Sequence, residues 1–364
     1  MKKKVFVLLV ALMMIIVTVA GCGGGGNTGG ASDSGSGSSA SASGDLKPIK
    51  MGLSMSALDF VIFQAFSDYL EQNLVEMGKD RGWAVDYRVV SANSDVTKQA
   101  NDIRDMLAAG CEVIFCQAVD SKTILSSVQE VHDAGKIFIM YNRKADVSAS
   151  GNQIPKATYN MDSYYQAYEG MIQLFEIMKA DGVDPVDIID VHGDTGDENA
   201  HNREAGFRKA VEEYGFADRV VQVVDVGVWE VDLALQNTAA ALQAYPNSNC
   251  MYVASDGMLP GVQTALENAG KWVKRGEAGH VYMCSTDMYP IGIQATLDRF
   301  VDANVECPAW QSGYEAAIGA FDLLEGLPVS QEETKIRGLV ITSDNAAEVL
   351  AAGRPWGVEY ADRS

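Results

Sequence analysis

Histidine is scarce in this chain: four among 364 residues, at positions 132, 192, 201 and 280. No HExxH or other paired spacing joins them, so the sequence carries no metal-catalytic motif, and neither a metal nor a cofactor is expected. Long apolar runs are also lacking. The longest, residues 5–20, holds 16 residues interrupted only by Thr18. As a helix it would reach about 24 Å, short of the roughly 30 Å hydrocarbon core, which argues against a permanent span. Positive charge is the third shortage. Lys and Arg number 28 against 49 Asp and Glu, a formal net charge of −21, with no basic run beyond Lys2, Lys3 and Lys4. An acidic body without a basic patch argues against nucleic acid and against anionic lipid as partners.

The three lysines and the apolar run together read as the n- and h-regions of a cleaved signal. The segment ends Val19-Ala20-Gly21-Cys22, which resembles a bacterial lipobox. Residues 1–21 are therefore expected to be a lipoprotein signal peptide, with Cys22 the lipidated residue that anchors the chain on the extracytoplasmic face of the cell membrane. Residues 22–45 follow as the lipidated cysteine and a Gly/Ser-rich linker, too polar and small to bury a core. Its flexible stretch spans about 26 Å root-mean-square, enough to let a soluble body turn near the membrane. Five cysteines remain: Cys111, Cys116, Cys250, Cys284 and Cys307. An odd number in an exported chain leaves at least one unpaired, and four lie in or beside apolar strands, so buried thiols are expected.

From Asp45 onward, about 320 residues suffice for two lobes. Short apolar runs alternate with amphipathic stretches: strands at 49–53, 84–90, 112–116, from 137 and at 157–160, with helices at 60–80, 96–109, 122–134 and 163–180. The helix at 96 has Asn93, Ser94 or Asp95 as its cap. The alternation then restarts, with strands at 186–191, 220–224, 250–253 and 281–284 and helices at 200–214, 231–244, 258–269 and 291–300. A helix at 311–324, one strand at 338–341 and a short helix at 346–352 close the chain. Such alternation means right-handed βαβ units in parallel sheets, and two sets of them mean two similar lobes.

Ligands of open α/β sheets bind at the carboxyl ends of the strands. There the run Ile137-Phe138-Ile139-Met140-Tyr141-Asn142-Arg143 passes from apolar residues to an amide and a guanidinium, a donor fork suited to hydroxyls or carboxylates. Gln117, Ser255-Asp256 and Thr286-Asp287 end other strands. The turn Gly193 to Asn199 precedes a helix, but Asp194, Asp197 and Glu198 would repel a phosphate there.

In this order and spacing the chain resembles the type I periplasmic binding proteins of the ribose-binding class, which serve sugar importers. The resemblance covers residues 47–342. It is carried by Ile49-Lys50-Met51-Gly52-Leu53-Ser54, Tyr141-Asn142-Arg143, Asn160-Met161-Asp162, Ala200 through Arg203 to Gly206-Phe207, Trp229, Ala254-Ser255-Asp256, Ser285-Thr286-Asp287, and Pro308 before Gly313. It implies an α/β fold of two Rossmann-like lobes with parallel sheets, joined by a three-segment hinge. The crossovers fall near Asp162, near Cys307-Pro308 and at 336–339. The lobes would then comprise 46–161 plus 308–336, and 162–307 plus 337–364.

Carried over residue by residue, the resemblance puts Arg143 and Arg203 on arginines that grip ring oxygens and hydroxyls, and Asn142 and Asp287 on acceptors. Ser255 and Asp256 fall at an asparagine-containing turn, Gln117 at another amide position, and Ser54 at the end of the first strand. Trp229 falls on an aromatic that stacks on a sugar face, and Phe60 is a candidate second ring. Ala57-Leu58-Asp59-Phe60 departs from the ribose binders' first loop, and Ser163 stands at an asparagine position. The implied function is non-enzymatic: a monomeric solute-binding lipoprotein that takes a monosaccharide or polyol and delivers it to an ABC permease and its ATPase by hinge closure. On the same fold, a receptor for a signalling furanose or nucleoside, feeding a transporter or a membrane sensor kinase, is the alternative. A hydrolase working between Asp256 and Asp287 is a further reading. A sugar-responsive repressor is excluded by the lipobox and the missing basic DNA-reading domain.

Overall fold

The structure is a computed structural model that describes residues 46–149, 154–224, 226, 229–353 and 355–363. The expected signal peptide, Cys22 and most of the linker lie outside the described residues. Among the described residues, no helix is long and apolar enough to cross a membrane.

The chain from Leu46 builds two sheets of six strands. The first half runs β1 (Lys47–Met55), α1 (Val61–Asp80), β2 (Trp83–Ser91), α2 (Val96–Ala108), β3 (Val113–Cys116), α3 (Leu125–Asp133), β4 (Ile137–Tyr141) and β5 (Ala157–Met161). The second runs α4 (Ser163–Ala180), β6 (Ile188–Val191), α5 (Glu198–Glu213), β7 (Val220–Val224), α6 (Val231–Ala244), β8 (Cys250–Val253), α7 (Leu259–Asn268), β9 (Tyr282–Asp287), α8 (Pro290–Leu297) and β10 (Ala303–Glu306). The chain ends with α9 (Ala309–Leu324), β11 (Glu333–Ile336), β12 (Val340–Thr342), α10 (Ala346–Ala352) and α11 (Trp356–Glu359).

The sheet orders are β11-β5-β4-β3-β1-β2 and β12-β10-β9-β8-β6-β7, so the two lobes repeat one strand order. Among the described residues all pairings are parallel except β10 with β12, so the edge strand beside β10 runs opposite to its counterpart β11 beside β5. Buried parallel strands read as near-continuous apolar runs because both faces are covered. In β4, Ile139 and Tyr141 face the layer holding α1 and α9, while Phe138 and Met140 face α2 and α3. Full burial of side chains such as Phe138 and Met140 contributes about 1.5–3 kcal/mol each. Asp95 caps α2, its carboxylate accepting from the backbone N–H groups of Thr97 and Lys98 at 2.7 and 2.9 Å.

Three segments cross between the sheets: Met161-Asp162 from β5 into α4, Cys307-Pro308 from β10 into α9, and 337–339 from β11 into β12. They are stitched together. The Asp162 N–H donates to the Ile336 carbonyl at 2.8 Å, and Gln166 Nε2 to the Glu306 carbonyl at 2.9 Å. Leu339 N–H donates to the Glu306 carboxylate at 3.0 Å, and Arg337 Nε to that of Asp162 at 3.1 Å. The tail does not stay on the second lobe. Trp356 Nε1 donates to the Asp287 carbonyl at 2.7 Å, while Tyr69 on α1 donates to Glu359 at 2.5 Å.

Candidate functional site

Between the lobes, at the carboxyl ends of both sheets, lies a cavity of about 290 Å³. That is at the small end of the ~300–1,000 Å³ range of ligand pockets. The first lobe contributes Phe60 and Phe63 from the start of α1, Asn142 and Arg143 from the end of β4, and Met161 from β5. The second contributes Asp197 and Asn199 at the start of α5, Arg203 one turn on, Trp229, Ser255, Asp287 and Tyr289. A larger groove of about 640 Å³ lies on the crossover segments, lined by Glu306, Trp310, Arg337 and neighbours. It holds none of the ten expected site residues.

Three cavity residues have left-handed backbones that side chains rarely adopt: Asn142 (φ 64°), Trp229 (φ 58°) and Asp287 (φ 91°). Such conformations cost of order 1–3 kcal/mol each and cluster where the chain must aim a side chain. Asn142 is held there by its own N–H, which donates to the Tyr159 carbonyl at 2.8 Å. Trp229 rests against the β6–α5 turn because residue 193 is glycine. A Cβ there would stand 2.1 Å from the indole Cη2.

Charge is paired along the wall. Arg203, almost fully buried, donates through Nη2 to Asp287 Oδ1 and to Gln166 Oε1, the latter at 2.9 Å. Burial, the largest single influence, opposes its charge, but the Asp287 carboxylate together with Tyr252, Cys307 and Asp197 outweighs it, and the guanidinium pKa lies above its ordinary value. Ser255 Oγ donates to the other Asp287 oxygen at 2.6 Å. The guanidinium lies 5.6 Å from the Trp229 ring centroid, a cation–π distance. Across the cleft, Arg143 Nη2 pairs with Asp197 Oδ2 at 2.7 Å, joining the lobes, and sits 5.5 Å from the Phe63 ring. Asp197 Oδ1 also caps α5 through the Asn199 N–H at 3.0 Å.

Two buried polar atoms of cavity residues have no hydrogen-bond partner among the described residues: Asn142 Oδ1, an acceptor, and Arg143 Nε, a donor. Buried polar groups are otherwise satisfied almost everywhere in proteins. Asn142, Arg143 and Trp229 all line the cavity, which gives it polar groups and an aromatic ring for a small hydroxylated molecule.

Of the ten expected site residues, seven line the cavity: Phe60, Asn142, Arg143, Arg203, Trp229, Ser255 and Asp287. Ser54, Gln117 and Asp256 are not among its lining residues; their side chains bond to neighbouring residues, while Gln117 Nε2 has no partner among the described residues. Gln117 Oε1 accepts from Ser56 Oγ at 2.7 Å, and Gln99 Nε2 reaches both Ser54 Oγ at 3.3 Å and the Gln117 carbonyl at 2.9 Å. Asp256 accepts from Ser285 Oγ, from Asn304 Nδ2 at 2.9 Å and from the Tyr289 N–H at 3.1 Å, so it ties the ends of β8, β9 and β10 together and holds Tyr289 at the cavity. Burial pushes its carboxyl up to about 7. Asp256 and Asp287 therefore do not face a common space as a hydrolytic pair would. Phe63, Asp197, Asn199 and Tyr289 were not expected. The strand-to-helix turn before α5 was the available signal for Asp197 and Asn199.

Residues 61–328 match the family model described as periplasmic binding protein domain. The chain belongs to this family. It is a binding protein and not an enzyme. It is 23% identical over 293 residues to the ribose import binding protein of Bacillus subtilis, covering 80% of this chain and 87% of that one. It is 22% identical over 294 residues to the D-apiose import binding protein of Actinobacillus succinogenes, with the same coverage. A solved ABC transporter solute binding protein from Bacillus halodurans, with bound myo-inositol, superposes with a TM-score of 0.70 at 22% identity, over 85% of this binding protein and 100% of the other. The shared fold is the α/β pair of six-stranded sheets described above.

Proposed function

We propose that this binding protein is the extracytoplasmic solute-binding lipoprotein of an ABC importer, anchored through Cys22, and that it takes a monosaccharide or related polyol between its lobes. The observation that carries the ligand class is the convergence of unpartnered Asn142 Oδ1 and Arg143 Nε, the Arg203–Asp287 pair and the Trp229 ring on a cavity of about 290 Å³. Polar groups take hydroxyls, and an aromatic face takes the C–H-rich face of a sugar ring. The relatives named for ribose and apiose import, and the structural neighbour with myo-inositol, support the same class.

The lobes on this reading are 46–161 plus 308–336, and 162–307 plus 337–364, with the tail from Trp356 touching both. Ligand bridges Arg143 on one lobe and Arg203 on the other, shifting the population toward a closed form that the permease recognises. No bond is broken.

A thermal-shift screen against pentoses, hexoses, polyols, inositols, nucleosides and signalling furanoses, followed by calorimetry, tests the proposal. A ligand at 100 times its dissociation constant stabilises the fold by about 2.7 kcal/mol. A monosaccharide or polyol hit supports the importer reading. A nucleoside or signalling-molecule hit with silence from every sugar and polyol overturns the ligand class. Labelled-lipid incorporation lost on Cys22→Ala tests the anchor.

A further inference from the structure

Next to Arg203 in sequence stands Glu204, which does not line the cavity. It belongs to a different cluster. Asp190 on β6 is wholly buried, and neither of its carboxylate oxygens has a hydrogen-bond partner among the described residues. Tyr252, its neighbour in register on β8, leaves its own hydroxyl unpartnered as well and does not satisfy it. The groups near Asp190 are His192 and Glu204. Ligand atoms of all three lie within 4.8 Å of one another. Glu204 Oε1 accepts from Arg208 Nε at 2.5 Å, while Oε2 makes no hydrogen bond and lies 3.5 Å from His192 Nδ1. Two carboxylates brought this close repel unless a proton or a cation is held between them, and a buried one without a partner is expensive. Something positive belongs in that space.

We propose that Asp190, His192 and Glu204 form a divalent-cation site of the zinc or manganese class, separate from the ligand cavity, that braces the junction of β6 and α5. One imidazole nitrogen and two carboxylate oxygens are a donor set these ions accept, and three protein ligands leave a position for water. Ligand bonds of about 2.0–2.2 Å place donor atoms roughly 3–4 Å apart, inside the observed spread. Exposure is graded, from a fully buried Asp190 through His192 to a Glu204 side chain that is 26% exposed, which gives an ion a path from solvent. Because Glu204 follows Arg203 on α5, the ion fixes the same helical turn that carries the cavity arginine.

The test titrates tag-free, chelator-treated protein with zinc chloride and manganese chloride by calorimetry, with calcium chloride as the hard-cation control, and follows melting temperature in parallel. The expected result is one equivalent of zinc or manganese bound, a raised melting temperature, and affinity lowered at least about tenfold in both Glu204→Gln and His192→Gln. Glu204 is partly exposed, so Glu204→Gln tests the site in a folded protein. Absence of stoichiometric binding overturns the proposal; so does binding that both substitutions leave unchanged. If no metal binds and Asp190→Asn melts at or above the wild type, a single proton shared by Asp190 and Glu204 is what holds the carboxylates together.

Discussion

Substituting either partner of the Arg203–Asp287 pair should destabilise the protein more than substituting both in combination would suggest. The two side chains are 3% and 9% exposed. Arg203→Met leaves the Asp287 carboxylate with the Ser255 hydroxyl as its remaining side-chain donor. Asp287→Asn leaves the guanidinium with Gln166 and the Trp229 face. Removing one member of a buried ion pair costs about 3–5 kcal/mol because the other charge is left uncompensated. That is a large share of a typical total stability of about 5–15 kcal/mol. The double variant carries no uncompensated charge, so its loss should fall short of the sum of the single losses by about 2 kcal/mol or more. Urea unfolding of the four proteins at pH 7 measures this coupling. Losses that add within about 0.5 kcal/mol would refute the buried pair, since that is how independent sites behave.

Two further outcomes follow from the same geometry. Gly193→Ala puts a methyl group 2.1 Å from the Trp229 ring, so the indole must move. Calorimetry should show weakened ligand binding with far-UV circular dichroism unchanged, and unaltered affinity would mean that Trp229 does not contact the ligand. For pH, burial raises the Asp256 carboxyl in the folded state to about 7, above its ordinary 3.8. The folded protein therefore binds the extra proton, and this stabilisation is full below about pH 4 and is lost as pH rises through 7. Glu306, lifted to about 7 chiefly by burial, acts in the same direction. Melting temperature between pH 5 and 8 should fall less steeply in Asp256→Asn than in the wild type; an equal slope would exclude Asp256 as a source.

The alternation of strands and helices was legible because buried parallel strands are written as short apolar runs. β10 and β11 were not. Their sequences, Ala-Asn-Val-Glu and Glu-Thr-Lys-Ile, have polar residues that only their places beside the crossovers explain. At the site, the chemistry at the strand ends was readable, but its direction was not. Ser54, Gln117 and Asp256 stand at the same strand ends as Asn142 and Ser255, yet their side chains meet packing partners rather than the cavity. Asp197 read as part of a polar turn; its pairing with Arg143 spans 54 positions and the gap between lobes, which no local pattern encodes. The left-handed backbones of Asn142, Trp229 and Asp287 likewise depend on the fold around them.

On the proposed function, a monosaccharide or polyol binds in the interlobe cavity. The most direct test is a calorimetric titration of one such ligand into the wild type, Arg143→Ala and Trp229→Ala. The wild type should show saturable one-site binding. Each substitution should weaken it by about 1–3 kcal/mol, or roughly 5- to 150-fold, as a stacking face is lost or ligand hydroxyls go unpaired in a dry cleft. Unchanged affinity in both variants would contradict binding in that cavity.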